Sequence, residues 1–416
     1  MDATPSPERS TGRAPGMGFI MATVLIDLMG VGIILPVLPL IVGEFTSSSD
    51  SHAHWVGLMT TTFAAAQFLL APLLGAVSDR FGRRPILLLG IAALGVNFAL
   101  TAIAPSLAWL LVARLIGGGL SSNIAVANAY VADITPPEKR AKRFGQLGAA
   151  FGVGFIVGPV IGGFAGQWGL HYPFYVAAGL CAINFIYGYF VLPESLAREN
   201  RSPVNFRRAN PFSALQGLSA LRGVGSLVAV VFFANLAQFM VHGVWVLYVA
   251  YRFGWSPQTI GFSFMAVGVG SALSQGLLLP KLIKRLGAEK LAMLGLASSG
   301  IAAVLWGLTT VGWFIFVILL ANLLSYAAAP SIQSLISRAA PADKQGTTMG
   351  ALSALNSLTL VIAPLFSTWV FAMVSHYDAK DLLVGLPFFV SAATTFIALA
   401  IAYRHFNRTP VPVPAP

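Results

Sequence analysis

The chain has 416 residues, of which 56% are hydrophobic and only 9% charged, whereas soluble domains carry about a quarter charged residues. Water is therefore not its main solvent, and the chain reads as an integral membrane protein. Net charge is +11, from 25 Lys+Arg against 14 Asp+Glu, and the single Cys181 excludes an internal disulfide framework or a Cys-based zinc site.

A membrane helix needs about 20 apolar residues. Residues 1–16 are polar and are expected to form an N-terminal tail. The apolar run that follows, 17–45, is longer than the apolar core of a cleavable leader, so it is expected to stay as span 1. Spans 2 to 6 follow at 55–77, 85–104, 107–132, 141–166 and 172–192. Spans 7 to 12 follow at 223–251, 258–280, 289–310, 312–337, 346–374 and 382–404. Pro36, Pro39, Pro72, Pro159 and Pro364 fall inside spans, which is tolerable where neighbouring helices re-satisfy the backbone. The expected fold is all-α, with twelve transmembrane helices. The apolar runs are continuous rather than alternating, which excludes a β-barrel.

Number the spans with the N-terminus inside, and 22 of the 25 basic residues fall on the inner segments. Only Arg252 and Lys380 fall outside, and Arg114 lies within a span. Positive charge is retained on the cytoplasmic side, so both termini are expected there. The same placement accounts for the net charge without nucleic acid.

A shift of 205 residues lays the chain on itself. Leu74–Gly82 falls on Leu279–Gly287, Pro136–Lys139 on Pro341–Lys344, and Pro159 on Pro364. One constant offset across separated regions predicts two six-helix halves of the same topology, as in transporters built from parallel repeats. The expected organisation is a cytoplasmic tail at 1–16, halves at 17–192 and 223–405, a cytoplasmic linker at 193–222 and a cytoplasmic tail at 406–416.

After span 2 comes Gly75-Ala-Val-Ser-Asp79-Arg80-Phe-Gly82-Arg83-Arg84-Pro85. Gly75 permits close helix approach, Gly82 a turn, and Asp79 a helix cap or an ion pair with an arginine. In span 5 lies Gly152-Val-Gly154-Phe-Ile-Val-Gly158-Pro159-Val-Ile-Gly162-Gly163, whose small residues at four-residue spacing let helices pack backbone to backbone. The first pattern resembles the loop signature of the major facilitator superfamily, and the second its antiporter signature. The resemblance implies that the second bends span 5 and seals one side of a pathway.

Further blocks resemble the tetracycline-efflux branch of the drug:proton antiporters. They include Asp27-Leu-Met-Gly30-Val-Gly32-Ile-Ile-Leu-Pro36-Val-Leu-Pro39, Arg114-Leu-Ile-Gly117-Gly118 and Trp245-Val-Leu with Arg252-Phe-Gly-Trp255. That branch typically has acids in spans 3 and 9 and a histidine in span 8, where this chain has Asn97, Ser299 and Ser271. The lost charges imply weak or absent export of cationic metal–tetracycline and a preference for neutral or less charged amphiphiles.

Of the fourteen acids, Asp27 alone sits deep within apolar sequence. Burying an unpaired carboxylate costs several kcal/mol, so it is either a proton carrier or a structural acid bonded to a neighbouring helix. Arg114 reads either as a coupling residue, as the resemblance implies, or as a snorkelling cation. Its helical face also carries Gly118, Ser121, Ala125 and Asn128. Asn235, Gln238, His242 and Trp245 share one face of span 7, and Asn322, Tyr326 and Gln333 one face of span 10. With Gln67, Asn97 and Ser121 they are candidates either to line a substrate cavity or to bond between helices.

No G-x-x-x-x-G-K-S/T loop, metal cluster or nucleophile–base pair is visible, so no cofactor, metal or enzymatic activity is expected. The resemblance implies a proton-coupled exporter of small amphipathic drugs, multi-pass in a bacterial-type plasma membrane. Its partners would be substrate, protons and lipid, with the protein acting as a monomer. A metabolite transporter on the same fold is the competing expectation; a receptor or channel would leave the duplication and both signatures unexplained.

Overall fold

The structure, a computed structural model, describes residues 16–120, 123–203, 225–339 and 345–408. Most of the expected linker, with Arg207, Arg208 and Pro211, and most of both tails lie outside the described residues. The described residues are helical with short turns and contain no strand.

Among them, ten helical stretches are long and apolar enough to cross a membrane, or eleven counting Gly312–Ala321 with Ser325–Ser337, which bend by 45° at a short break. One stretch, Pro257–Leu308, has 52 residues. At about 1.5 Å per residue it would be about 78 Å long, over twice the hydrocarbon core. It is two spans: Gly287 breaks it with φ 77°, a left-handed value that favours glycine. The total is twelve.

The first half holds span 1 (Gly16–Ile34 and Leu38–Gly43), span 2 (Ser49–Phe81) and span 3 (Arg83–Ala102). It continues with span 4 (Leu107–Leu120 and Asn123–Ile134), span 5 (Pro137–Ala165) and span 6 (Tyr172–Val191). The second holds span 7 (Gly225–Phe253), span 8 (Pro257–Leu273, then a π-helical turn, Ser274–Leu278) and span 9, which ends at Leu308. Span 10 is Gly312–Ala321 and Ala328–Ala339, span 11 Gln345–Ala372, and span 12 Leu386–Arg408. Gly82 turns span 2 into span 3 with φ 105°, as Gly287 does 205 residues later. The repeat therefore keeps the turn, although Lys284 and Arg285 stand where the first half has Asp79 and Arg80.

Glycine sets the helix crossings. A Cβ at Gly158 of span 5 would lie 2.7 Å from the Met29 carbonyl oxygen and 2.9 Å from Gly32 Cα of span 1. One at Gly154 would lie 2.9 Å from the Leu25 oxygen, and one at Gly162 would overlap the Ile33 backbone. The second half repeats the crossing, where a Cβ at Gly243 of span 7 would lie 2.8 Å from Pro364 Cα of span 11. In lipid such contact gains packing that bulkier residues prevent.

The halves meet along two seams, span 2 with span 11 and span 5 with span 8. On the first, Ser375 Oγ donates to Asp50 at 2.7 Å, Gly57 packs on Thr368, and Thr61 Oγ1 donates to the Val361 carbonyl at 3.2 Å. On the second, Gly163 packs on Pro257 and Gln258, Gly261 on Pro159, Gly268 on Ile156, and Gln167 bonds Gln258. All these contacts lie in the half of the molecule remote from the Arg83 loop. Continued in register toward that loop, the first seam would pair Gly75 with Gly350, yet a Cβ at either would meet nothing within 4 Å. Gly145, Gly148 and Gly276 on the second seam are equally open. The molecule is thus closed at one end and parted at the end that carries the Arg83 loop, called the basic end below.

Gly158→Ala should destabilise the protein by about 1–3 kcal/mol, because a backbone oxygen cannot step aside. Gly152→Ala, which meets open space, should be neutral or slightly stabilising. Thermal unfolding of both variants in detergent measures the difference.

Candidate functional site

Polar groups collect in three places. The first is the basic end of the first half. Arg83 is buried, its Nη1 2.6 Å from Asp79 and from Ser78 Oγ, and its Nε 3.1 Å from Asp133. Glu194, just past span 6, accepts from the backbone N–H of Arg83 at 2.8 Å and of Arg84 at 3.3 Å. It thereby satisfies free donors at the start of span 3, where the helix dipole favours negative charge. Arg84 donates to the Tyr189 carbonyl at 2.6 Å, and Arg80 lies over the Phe81 ring. Spans 2, 3, 4 and 6 are tied together here. Sequence reasoning singled out Gly75, Asp79, Arg80, Gly82, Arg83 and Arg84 but missed Asp133 and Glu194.

The second place is the interior of the first half. Asp27 is 7% exposed and accepts from Asn184 Nδ2 of span 6 at 3.2 Å. The same amide also reaches the Thr23 carbonyl. Asp27 thus faces span 6. Arg114 of span 4 is 5% exposed, donates to Thr101 of span 3 at 3.1 Å, and stacks over Phe63 of span 2. One turn along, Asn97 is fully buried against Gly117, its amide without a hydrogen-bond partner among the described residues. Gly118 receives the Phe63 backbone, while Ala125 and Asn128 are exposed. Gln67 is half-buried, and Ser121 lies outside the described residues.

The third place is a cleft in the second half. Its larger part, about 400 Å³, is lined by residues that include Asn235, Gln238, Ser299, Gln333, Asn356 and Thr395. A deeper part of about 50 Å³ is lined by residues that include Phe155, His242, Trp245, Trp306, Asn322 and Tyr326. Gln238, Ser299 and Ser325 border both. The structure brings the span 7 and span 10 candidates together here; Asn97 and Gln67 border neither part.

The cleft borders an interruption in span 10, at Asn322 and Ser325. At Asn322–Ser325 the chain leaves α-helical geometry, and its carbonyls need other donors. Ser325 N–H and Oγ donate to the Asn322 carbonyl at 3.2 and 2.8 Å. Ser274 Oγ, from the π turn of span 8, donates to the Leu323 carbonyl at 2.6 Å. Irregular backbone at membrane depth is tolerated where protein or a cavity surrounds it. The aromatic floor is fixed in turn: Trp245 Nε1 donates to Ser263 at 3.0 Å, and Trp245 and Trp306 meet edge to face at 5.3 Å.

Comparison with known proteins agrees with this architecture. The family model described as "Major Facilitator Superfamily" matches residues 20–246 and 227–416. The chain is 36% identical over 386 residues to "Tetracycline resistance protein, class C" of Escherichia coli, covering 92% of this chain and 96% of that protein. It is 26% identical to "Multidrug resistance protein 2" of Bacillus subtilis (strain 168), covering 86% and 89%. Among solved structures, the nucleoside transporter NupG superposes with a TM-score of 0.75 at 13% identity, covering 94% of this chain and 98% of that one. A bacterial homolog to the human lysosomal transporter Spinster, inward-facing and occupied, gives 0.74 at 17% identity, covering 98% and 100%. At these identities the structural likeness is one of fold.

Glu194→Ala should cost about 1 kcal/mol, the usual loss for a missing N-cap. Hydrogen exchange should rise at the first amides of span 3. Glu199→Ala, on an exposed side chain, should leave them unchanged.

Proposed function

The chain belongs to the Major Facilitator Superfamily, and we propose that it exports small amphipathic drugs from the cytoplasm in exchange for protons, by alternating access. What carries this reading is end-to-end similarity to tetracycline resistance proteins, several more than 30% identical. The geometry supports it: two six-helix halves meet at one end and part at the other, with a cleft between spans of the second half. A proton gradient directed inward would drive substrate outward as the halves rock about their seams. The basic end faces the cytoplasm in this reading, with both termini there, because Lys and Arg are held on that side of a bacterial plasma membrane. The six-span repeat sets the halves at 17–192 and 223–405, joined by a cytoplasmic linker at 193–222.

This reading assigns the residue roles as follows. Asp27 is the proton carrier, a buried carboxylate that accepts from the Asn184 amide. Arg114, which ties spans 2, 3 and 4 together, is the second coupling residue. Gly154, Gly158, Pro159, Gly162 and Gly163 hold span 5 against spans 1 and 8 and so couple the first half to its seam. The loop from Gly75 to Arg84 locks the first half into one body. Asn235, Gln238, His242, Trp245, Asn322, Tyr326 and Gln333 border the substrate.

The direct test is a susceptibility panel of tetracyclines, phenicols and cationic dyes in a bacterial host lacking its own exporters. Resistance to at least one amphipathic class, abolished by a protonophore, is expected. Unchanged susceptibility, or resistance indifferent to the protonophore, would contradict the reading. Asp27→Asn keeps an acceptor oxygen for Asn184 and should fold normally. It should lose gradient-driven export in everted vesicles by tenfold or more while still binding substrate. Full export by this variant would remove Asp27 from the coupling path.

A further inference from the structure

The cleft is lined mostly by apolar surface with polar groups set into it, and none of the residues bordering either part is Asp, Glu, Lys or Arg. Its polar atoms belong to amides, hydroxyls, indoles and one imidazole. Gln238 and His242 both face the cleft, and the Gln238 amide nitrogen stands 2.9 Å from His242 Nε2. An amide N–H donates to a ring nitrogen that carries no proton, so this contact suits a neutral imidazole. Trp306 borders the deeper part, is nine-tenths buried, and its indole N–H has no hydrogen-bond partner among the described residues. It is a free donor beside an aromatic wall. At about 400 Å³, the larger part is within the usual range of small-molecule sites, about 300–1,000 Å³.

A cation entering this cleft would lose hydration and find no opposite charge. An uncharged molecule would lose far less and could bond to the amides while its ring packs on Trp245 and Trp306. We infer that the cleft binds uncharged amphiphiles that carry an aromatic ring and a hydrogen-bond acceptor, and that permanently cationic compounds bind there poorly. The inference rests on the export reading and narrows its substrate class. Specificity lies in what the cleft lacks, so one added carboxylate should change it.

The test uses two probes with the same fluorophore, neutral dansylamide and permanently cationic dansylcholine. Binding to the purified full-length protein is read as energy transfer from tryptophan. Dansylamide should bind at least tenfold more tightly than dansylcholine. Gln238→Glu should improve dansylcholine binding about tenfold, which corresponds to about 1.4 kcal/mol, without improving dansylamide. Asn235→Asp, a near-isosteric change elsewhere in the cleft, should do the same and guards against misfolding of the first variant. Equal or tighter wild-type binding of dansylcholine would overturn the inference. So would an unchanged ratio in both carboxylate variants, or binding of neither probe. The susceptibility panel separates this from the export reading. Proton-driven export confined to cationic dyes would leave export standing and remove the uncharged class. Preferential dansylamide binding without export of any compound would do the reverse.

Discussion

Where span 5 crosses span 1, glycines bring the two backbones into direct contact. Gly154, Gly158 and Gly162 lie on the backbone of Leu25, Met29, Gly32 and Ile33. Lipid offers no hydrophobic drive for helix association, so such contact has to supply the cohesion of each half. The next residue of the motif, Gly163, turns to the other half and seats Pro257 and Gln258 of span 8. One short block therefore both stiffens the first half and builds a seam. The second half repeats the crossing at Gly243 and Pro364, with Thr368 on the same helix supplying the other seam against Gly57. Motion that spared these crossings would be motion of whole halves, with the seams as the surfaces that open and close.

The polar groups divide along the same lines. Charged groups of the first half serve its integrity: Arg83 between Asp79 and Asp133, and Glu194 at the start of span 3. Its interior keeps Asp27, which accepts from Asn184, and Arg114, which donates to Thr101. The cleft of the second half is bordered by neutral amides and hydroxyls, beside the interruption in span 10. In the proposed cycle, proton and substrate thus occupy different halves and communicate through the relative position of those halves rather than by contact.

Much of this was legible in the sequence. The 205-residue offset anticipates two turns at positive φ, Gly82 and Gly287, and two matching prolines, Pro159 and Pro364. Steps of three and four along span 7 place Asn235, Gln238 and His242 on one face, and all three border the cleft. What stayed hidden depends on partners far apart in the chain. Glu194 is 111 residues from Arg83, and Asn184 is 157 from Asp27, so no local spacing announces either bond. The break in span 10 was equally silent, since no proline lies at 322–325 and the donor that supports it, Ser274, comes from span 8. Asn97 shows a further limit: a polar residue in an apolar helix can face a cavity or a neighbour, and only the packing places it against Gly117.

The central claim is that the halves move as bodies about the two seams, and paired spin labels test it most directly. One pair, at Phe81 and Leu286, would span the parted basic end; the other, at His54 and His376, the closed end. Both would be placed in a Cys181→Ala background, since Cys181 is buried and is the chain's single cysteine. As pH and substrate are varied, pulsed electron resonance should show the two distances changing in opposite directions, one shortening as the other lengthens. Distances that stay fixed, or that change in the same direction, would contradict the account.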